Sequence, residues 1–173
     1  MPVRNVVLTG FMGTGKTAVS RELSHILGMK LVDIDAEIEK TAGKRIADIF
    51  SESGEAVFRD LETEAIRRCA RTGGQIISTG GGAVLRQENM EALRGNGLVF
   101  CLDASPGTIL SRTSGSSERP LLQTPDPLRR IIELLEYRRP FYEKAGIMID
   151  TEKKTPLQVA EEIAERYRAD TQG

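Results

Sequence analysis

Gly10-Phe11-Met12-Gly13-Thr14-Gly15-Lys16-Thr17 fits the spacing G-x-x-x-x-G-K-[ST]. A loop of this kind surrounds phosphate with backbone N–H groups. Its glycines allow the necessary backbone angles, and the helix that follows aims its first amides at the same point. In that pattern the Lys16 ammonium would reach the β- and γ-phosphates of a nucleotide, and the Thr17 hydroxyl would bind Mg²⁺. A Gly-rich turn with an incidental lysine is the bland alternative, and the flanks speak against it. Asn5 to Thr9 is a short β-branched apolar run, and Val19, Leu23, Ile26 and Leu27 then recur at helical spacing.

Four further constellations could carry chemistry. Asp33-Ile34-Asp35 follows a strand-like run, which would put two carboxylates near the phosphate loop. One could support a metal and the other could orient or deprotonate an acceptor hydroxyl, although Asp35 could equally cap a helix over residues 36–40. Gly80-Gly81-Gly82 is either a tight turn or a place where substrate meets backbone N–H groups. Arg59 and Glu62, three apart, suit an intrahelical ion pair or a carboxylate holding an arginine that forks onto an anionic substrate. Arg138-Arg139-Pro140-Phe141-Tyr142 is either a solvated helix surface or a second cationic site.

The elements that must position these groups alternate. Strand-like runs occur at residues 6–9, 31–34, 75–78, 98–102 and 147–150. Helical patterns fall at 16–27, on a segment with Phe58, Leu61, Ala65, Ile66 and Cys69 along one face, and at 89–94, 106–112, 127–145 and 156–167. Pro106, Pro127 and Pro156 each suit a first helical turn. Strand–helix alternation implies an α/β fold with a parallel sheet and helices on both faces, whose ligands gather at the carboxyl ends of the strands. Residues 113–125 interrupt the pattern. The small polar run Ser114-Gly115-Ser116-Ser117-Glu118, then Arg119-Pro120, reads as a solvated loop or as a lid carrying a cation over the reacting phosphate. The tail after Tyr167 is expected to fray.

Composition narrows the field. A chain of 173 residues is expected to form one domain, 1–173, and to bury about 70% of its unfolded surface without disulfide or metal staples. Cys69 and Cys101 lie in apolar stretches and read as core thiols in a reducing compartment. No run is apolar and long enough for a bilayer and no signal peptide is evident, so a cytoplasmic protein without membrane partners is expected. A net charge of −1 argues against nucleic acid as a partner. His25, the only histidine, excludes histidine metal clusters and Ser-His-Asp triads.

The ordered set of motifs resembles the shikimate kinase family over nearly the whole chain. It comprises the phosphate loop, Asp33-x-Asp35, Gly54-Glu55, Phe58-Arg59-x-x-Glu62, Gly80-Gly81-Gly82-Ala83, Arg119-Pro120-Leu121-Leu122 and Arg138-x-Pro140-x-Tyr142. Asp150-Thr151 and Thr155-Pro156 match the family's adenine loop. The resemblance implies a three-layer, nucleoside-monophosphate-kinase-like fold with strand order 2-3-1-4-5. It implies transfer of the γ-phosphoryl group of ATP to the 3-hydroxyl of shikimate, by a monomer. By the same resemblance Gly13, Thr14, Gly15, Lys16, Thr17, Ala18 and Lys154 would bind ATP, with Arg112 stacked on adenine. Thr17 and, through water, Asp33 would hold Mg²⁺. Asp35 would engage the shikimate hydroxyls as candidate base, and Arg59 and Arg138 would clamp its carboxylate. Gly80, Gly81, Gly82, Phe50 and Phe58 would line the pocket, in a substrate region of about 34–62. Arg119 would act from the lid as a catalytic cation. A gluconate or nucleotide kinase on the same fold is the nearest rival. A GTP-binding switch is another, but its Asn/Thr-Lys-x-Asp motif is absent.

Overall fold

The computed structural model describes residues 3–115 and 122–172. β1 (Asn5–Gly10) is buried at every position and lies at the centre of a five-stranded sheet. β3 (Gln75–Ser78) and β4 (Gly97–Asp103) flank it, with β2 (Lys30–Asp33) and β5 (Ile147–Asp150) at the edges. Every pairing is parallel, in the order 2-3-1-4-5 that the family resemblance implies. The register brings the carboxyl ends into line, with Gly10 opposite Leu102, Asp33 opposite Ser78, and Asp103 opposite Asp150.

Period-two alternation divides the sheet between two apolar layers. Val6, Leu8, Ile76, Phe100 and Leu102 face α1 (Lys16–Leu27) and α7 (Pro156–Gln172), meeting Val19, Leu23, Val159 and Ile163. Val7, Ile77, Val99 and Cys101 face the other way. There they meet α2 (Ile34–Ala42), α3 (Ile46–Ala70), α4 (Gln87–Gly95), α5 (Pro106–Thr113) and α6 (Pro127–Ala145) through side chains such as Ile38, Ile66, Leu93, Ile109 and Ile131. A short 3₁₀ turn, Ala83–Leu85, follows β3.

Three expectations are corrected. The cap of α2 is Asp33, whose Oδ1 accepts the Ala36 N–H at 3.1 Å, while Asp35 sits inside the first turn. The carboxylate one residue before the first helical position has the reach for that amide, and an exposed cap of this kind is worth ~1 kcal/mol. α7 does not stop at Tyr167 but continues to Gln172, tied back by the Tyr167 hydroxyl donating to Arg4 O (2.7 Å) and by an Arg4–Asp170 ion pair (2.7 Å). Cys101 is a core thiol, but Cys69 is only half-buried, and both are free. α3 is also interrupted. Gly54 has φ 85 and ψ 171, a backbone state that side chains rarely adopt. The break folds Phe50 back onto Phe58, with ring centroids 4.7 Å apart. Among the described residues, no helix is long and apolar enough to cross a membrane.

Candidate active site

The strand ends build the site. β1 runs directly into the phosphate loop, where Gly10, Gly13 and Gly15 have φ of 134, 78 and 100. Gly15 is the residue before α1, and no side chain among those described caps that helix, nor does an acidic residue occupy its first turn. The amides at the start of α1 therefore face away from any capping side chain among those described, the arrangement that receives an anion. The Lys16 ammonium lies across the loop and donates to Gly10 O (2.6 Å) and Phe11 O (2.8 Å). Thr14 is buried and its hydroxyl donates to Phe11 O, fixing the loop's bend. Thr17 and Ala18 are exposed.

β2 leads to Asp33 and Asp35. Burial raises the Asp35 carboxyl from 3.8 to about 6. The negative charges of Asp33 and Glu62 push in the same direction, and the Lys16 ammonium opposes them. Its Oδ1 is buried with no hydrogen-bond partner among the described residues. Asp33 and the Thr17 hydroxyl together offer hard oxygen donors of the kind Mg²⁺ accepts alongside phosphate and water. No group of three or more His, Cys, Asp or Glu side chains among the described residues could hold a metal alone.

β3 leads to Gly80-Gly81-Gly82. It is a turn, closed by Ala83 N donating to Gly80 O (3.2 Å), and it is also the meeting point of the charged groups. A Cβ on Gly80 would lie 3.1 Å from Glu62 Oε2 and 3.3 Å from Asp35 Oδ1. One on Gly81 would lie 3.4 Å from Arg138 Nη1 and 3.4 Å from Met12 N of the phosphate loop. One on Gly82 would overlap the Arg59 guanidinium. The three glycines thus let two acids and two arginines from three helices reach one turn.

Arg59 and Arg138 do not follow strands; helices deliver them. Arg59 Nη1 donates to Glu62 Oε1 (2.9 Å) and Nη2 to the exposed Glu55 (3.3 Å), with the guanidinium carbon 5.1 Å from the Phe58 ring centre. Glu62 is fully buried, and that burial raises its carboxyl against the pull of Arg59 and Arg138. Arg138 is 3% exposed and stands 5.7 Å from the Phe11 ring centre, so the solvated-surface reading fails for it. Its Nε and Nη1 are buried without partners among the described residues. Neighbouring Arg139 is exposed and faces Asp103 at 4.0 Å.

The remaining residues lie along the other strand ends. Arg112, near the end of α5, donates to Gly13 O (3.3 Å) and Thr151 Oγ1 (3.3 Å). The Lys154 ammonium pairs with Glu162 at 2.9 Å. Phe50 is half-buried beside Phe58. Arg119 lies outside the described residues, as does the 116–121 part of the expected lid. Two residues not singled out as ligands prove integral. One is Glu62, behind Arg59. The other is Tyr142, whose hydroxyl donates to Gly81 O at 2.7 Å. Both had a signal. Ile131, Leu134, Leu135, Arg138 and Tyr142 follow a helical stripe, which places the arginine and the tyrosine on the inward face.

The chain is similar in sequence and in fold to known proteins. A family model described as shikimate kinase matches residues 12–168. The chain is 50% identical over 165 residues to a shikimate kinase of Thermodesulfovibrio yellowstonii, covering 95% of both chains. It is 48% identical over 167 residues to one of Symbiobacterium thermophilum, covering 95% and 96%. Among solved structures, a shikimate kinase from Acinetobacter baumannii in complex with shikimate is similar, with TM-score 0.94, 33% identity, and 99% and 96% of the two chains covered. A gluconokinase from Sinorhizobium meliloti, with TM-score 0.57 and 17% identity, shares the fold alone.

Proposed function

The chain belongs to the shikimate kinase family, and from that premise we propose that it transfers the γ-phosphoryl group of ATP to the 3-hydroxyl of shikimate. The observation that carries this reading is the convergence of Asp35, Glu62, Arg59 and Arg138 on Gly80–Gly82, beside the phosphate loop. A buried Arg138 and a half-buried Arg59 suit an anionic substrate, and a bidentate guanidinium fits a carboxylate. Arg59, held by Glu62, and Arg138, with Nε and Nη1 lacking acceptors among the described residues, clamp the shikimate carboxylate. Gly80, Gly81 and Gly82 admit the ring, and Phe50 and Phe58 wall it.

Phosphoryl transfer requires in-line placement and positive charge around the equatorial oxygens, with little covalent help. Asp35, whose Oδ1 has no partner among the described residues, aligns the acceptor hydroxyl and takes its proton. A carboxyl raised to about 6 is a stronger acceptor than an ordinary aspartate and is still ionised at neutral pH. Lys16 exchanges its carbonyl contacts for the β- and γ-phosphates, which the amides of Gly13, Thr14, Gly15 and Ala18 cradle. Thr17 and, through water, Asp33 hold Mg²⁺, which supplies further positive charge at the phosphates when bound. Arg112 stacks on adenine beside the 150–155 loop, with Lys154 at its rim. Arg119, within the 113–125 segment read as a lid, adds a cation as water is excluded. The enzyme works as a cytoplasmic monomer on these two small molecules.

A coupled assay of ADP release with and without shikimate tests the proposal. Release that depends on shikimate and Mg²⁺, and that gluconate or a nucleoside monophosphate cannot replace, is the expected result. Equal release without shikimate would remove the assignment.

A further inference from the structure

Glu152 belongs to none of the constellations above, yet it joins two parts of the nucleotide side. Its Oε1 accepts from Ser105 N (2.9 Å), and the Thr108 hydroxyl stands 2.8 Å from both carboxylate oxygens. Ser105 precedes α5, so an anion here also meets the favourable end of that helix. Hydrogen bonds from Ser105, side chain and backbone, and from Thr108 hold its carboxyl down to about 2, which keeps it ionised. At the far end of the same helix Arg112 donates to Thr151 Oγ1 (3.3 Å), Thr151 O (3.5 Å) and Gly13 O (3.3 Å). Thr151 is itself fixed to Asp103 O through its N–H (3.0 Å) and its hydroxyl (2.8 Å). Two consecutive residues after β5 therefore grip both ends of α5. The loop continues through Lys153, whose φ of 55 is a left-handed value that only a well-held non-glycine residue keeps.

We propose that Glu152 is a positioning residue for the nucleotide: by tying the start of α5 to the 151–155 loop, it sets Arg112 against the phosphate loop. The inference rests on the reading that ATP lies along Gly13, Arg112 and this loop. It places Glu152 away from the acid-binding side, so its loss affects one substrate only.

The test compares E152A, E152Q, R112A and the E152A/R112A double variant by steady-state kinetics in each substrate and by calorimetric titration with ADP. E152A is expected to raise the KM for ATP and weaken ADP binding roughly tenfold, leaving kcat and the KM for shikimate within about twofold. E152Q, which keeps an acceptor oxygen for Ser105 N, is expected to recover most of the loss. It also carries the comparison if E152A does not fold. Because Glu152 acts through Arg112, the double variant should bind ADP about as weakly as R112A alone. Equal rises in both KM values, or a lower Tm with unchanged ADP affinity, would overturn the proposal. So would full additivity in the double variant. Loss of ADP affinity in R112A but not in E152A defeats the role of Glu152 alone. Undiminished affinity in both defeats the placement of the nucleotide as well.

Discussion

The nucleotide side and the acid side of the site satisfy their polar groups in opposite ways. On the nucleotide side the cations rest on protein oxygens: Lys16 on Gly10 O and Phe11 O, Arg112 on Gly13 O and Thr151. On the acid side, Asp35 Oδ1, Glu62 Oε2, and Arg138 Nε and Nη1 are buried without partners among the described residues. A backbone cradle supplies charge through dipoles that cost little to maintain. Buried side-chain charges cost stability until a ligand completes them. The first side should therefore tolerate loss of a charge with little effect on folding, while the second should gain stability as it loses function.

The harshest test of the first half is Lys16→Ala. With the ammonium gone, the remaining charges cannot neutralise the transferring phosphoryl group as well, and a loss of about 3 kcal/mol or more of transition-state stabilisation is expected. Stability should fall by no more than about 1–2 kcal/mol, because the ammonium's bonds to Gly10 O and Phe11 O are only part-buried. Near-normal turnover of a folded variant would remove Lys16 from the chemistry.

Asp35→Asn probes the second half, and here the sign reverses. The folded carboxyl titrates near 6 against an ordinary 3.8, so the folded state holds the proton more tightly than the unfolded chain. The cost of burying this charge is absent below the ordinary value, grows as pH rises through the interval, and is fully present above about 6. Such a rise corresponds to ~3 kcal/mol. At pH 7 the asparagine variant should be more stable by up to about that amount while kcat falls about a hundredfold or more. The stability gain should vanish when unfolding is measured near pH 4. In the native enzyme kcat should decline as pH drops below about 6. A stability gain independent of pH would contradict the assigned cause.

The same contrast explains what could be read from sequence. The phosphate loop was legible because its geometry is local: eight consecutive residues specify the turn and its amides. Strands and most helices were legible from apolar period and proline placement, as at Pro106 and Pro127, each of which opens its helix. The acid side was legible only in part. Arg138 and Arg139 are chemically identical, and only helical phase separates a buried cation from an exposed one. Glu62 reads as an ordinary partner of Arg59 until Gly80, eighteen positions on, leaves room for its second oxygen. Gly54 enters the sequence reading only as part of a family motif, although its φ of 85 breaks α3 beside Phe50 and Phe58. The Glu152 tie spans more than forty residues and leaves no periodic trace.

Arg138→Met separates binding from stability on the acid side. Methionine fills similar space against Phe11 and removes a guanidinium whose Nε and Nη1 have no acceptor among the described residues. The KM for shikimate should rise by the equivalent of about 2 kcal/mol, roughly thirtyfold, with the KM for ATP nearly unchanged and Tm equal or higher. Matched losses for both substrates would break the division between the two sides.

Tyr142→Phe has the smallest expected effect and asks what holds the acid side in register. The hydroxyl donates to Gly81 O from one helical turn beyond Arg138, so a single bond ties α6 to the glycine turn that Asp35, Arg59 and Glu62 share. Burial pushes this phenol up to about 12, so it remains a donor across the working range. Removing it leaves the ring packed and a buried carbonyl short of a partner, a loss of ~1 kcal/mol in stability. If the bond only stabilises the fold, both KM values stay put while Tm falls. If it sets the spacing of Arg138 from Gly81, the KM for shikimate rises a further severalfold and the KM for ATP does not. The second outcome is expected. Gly81 has no side chain through which to resist movement, and a Cβ placed there would already lie within 3.4 Å of Arg138 Nη1.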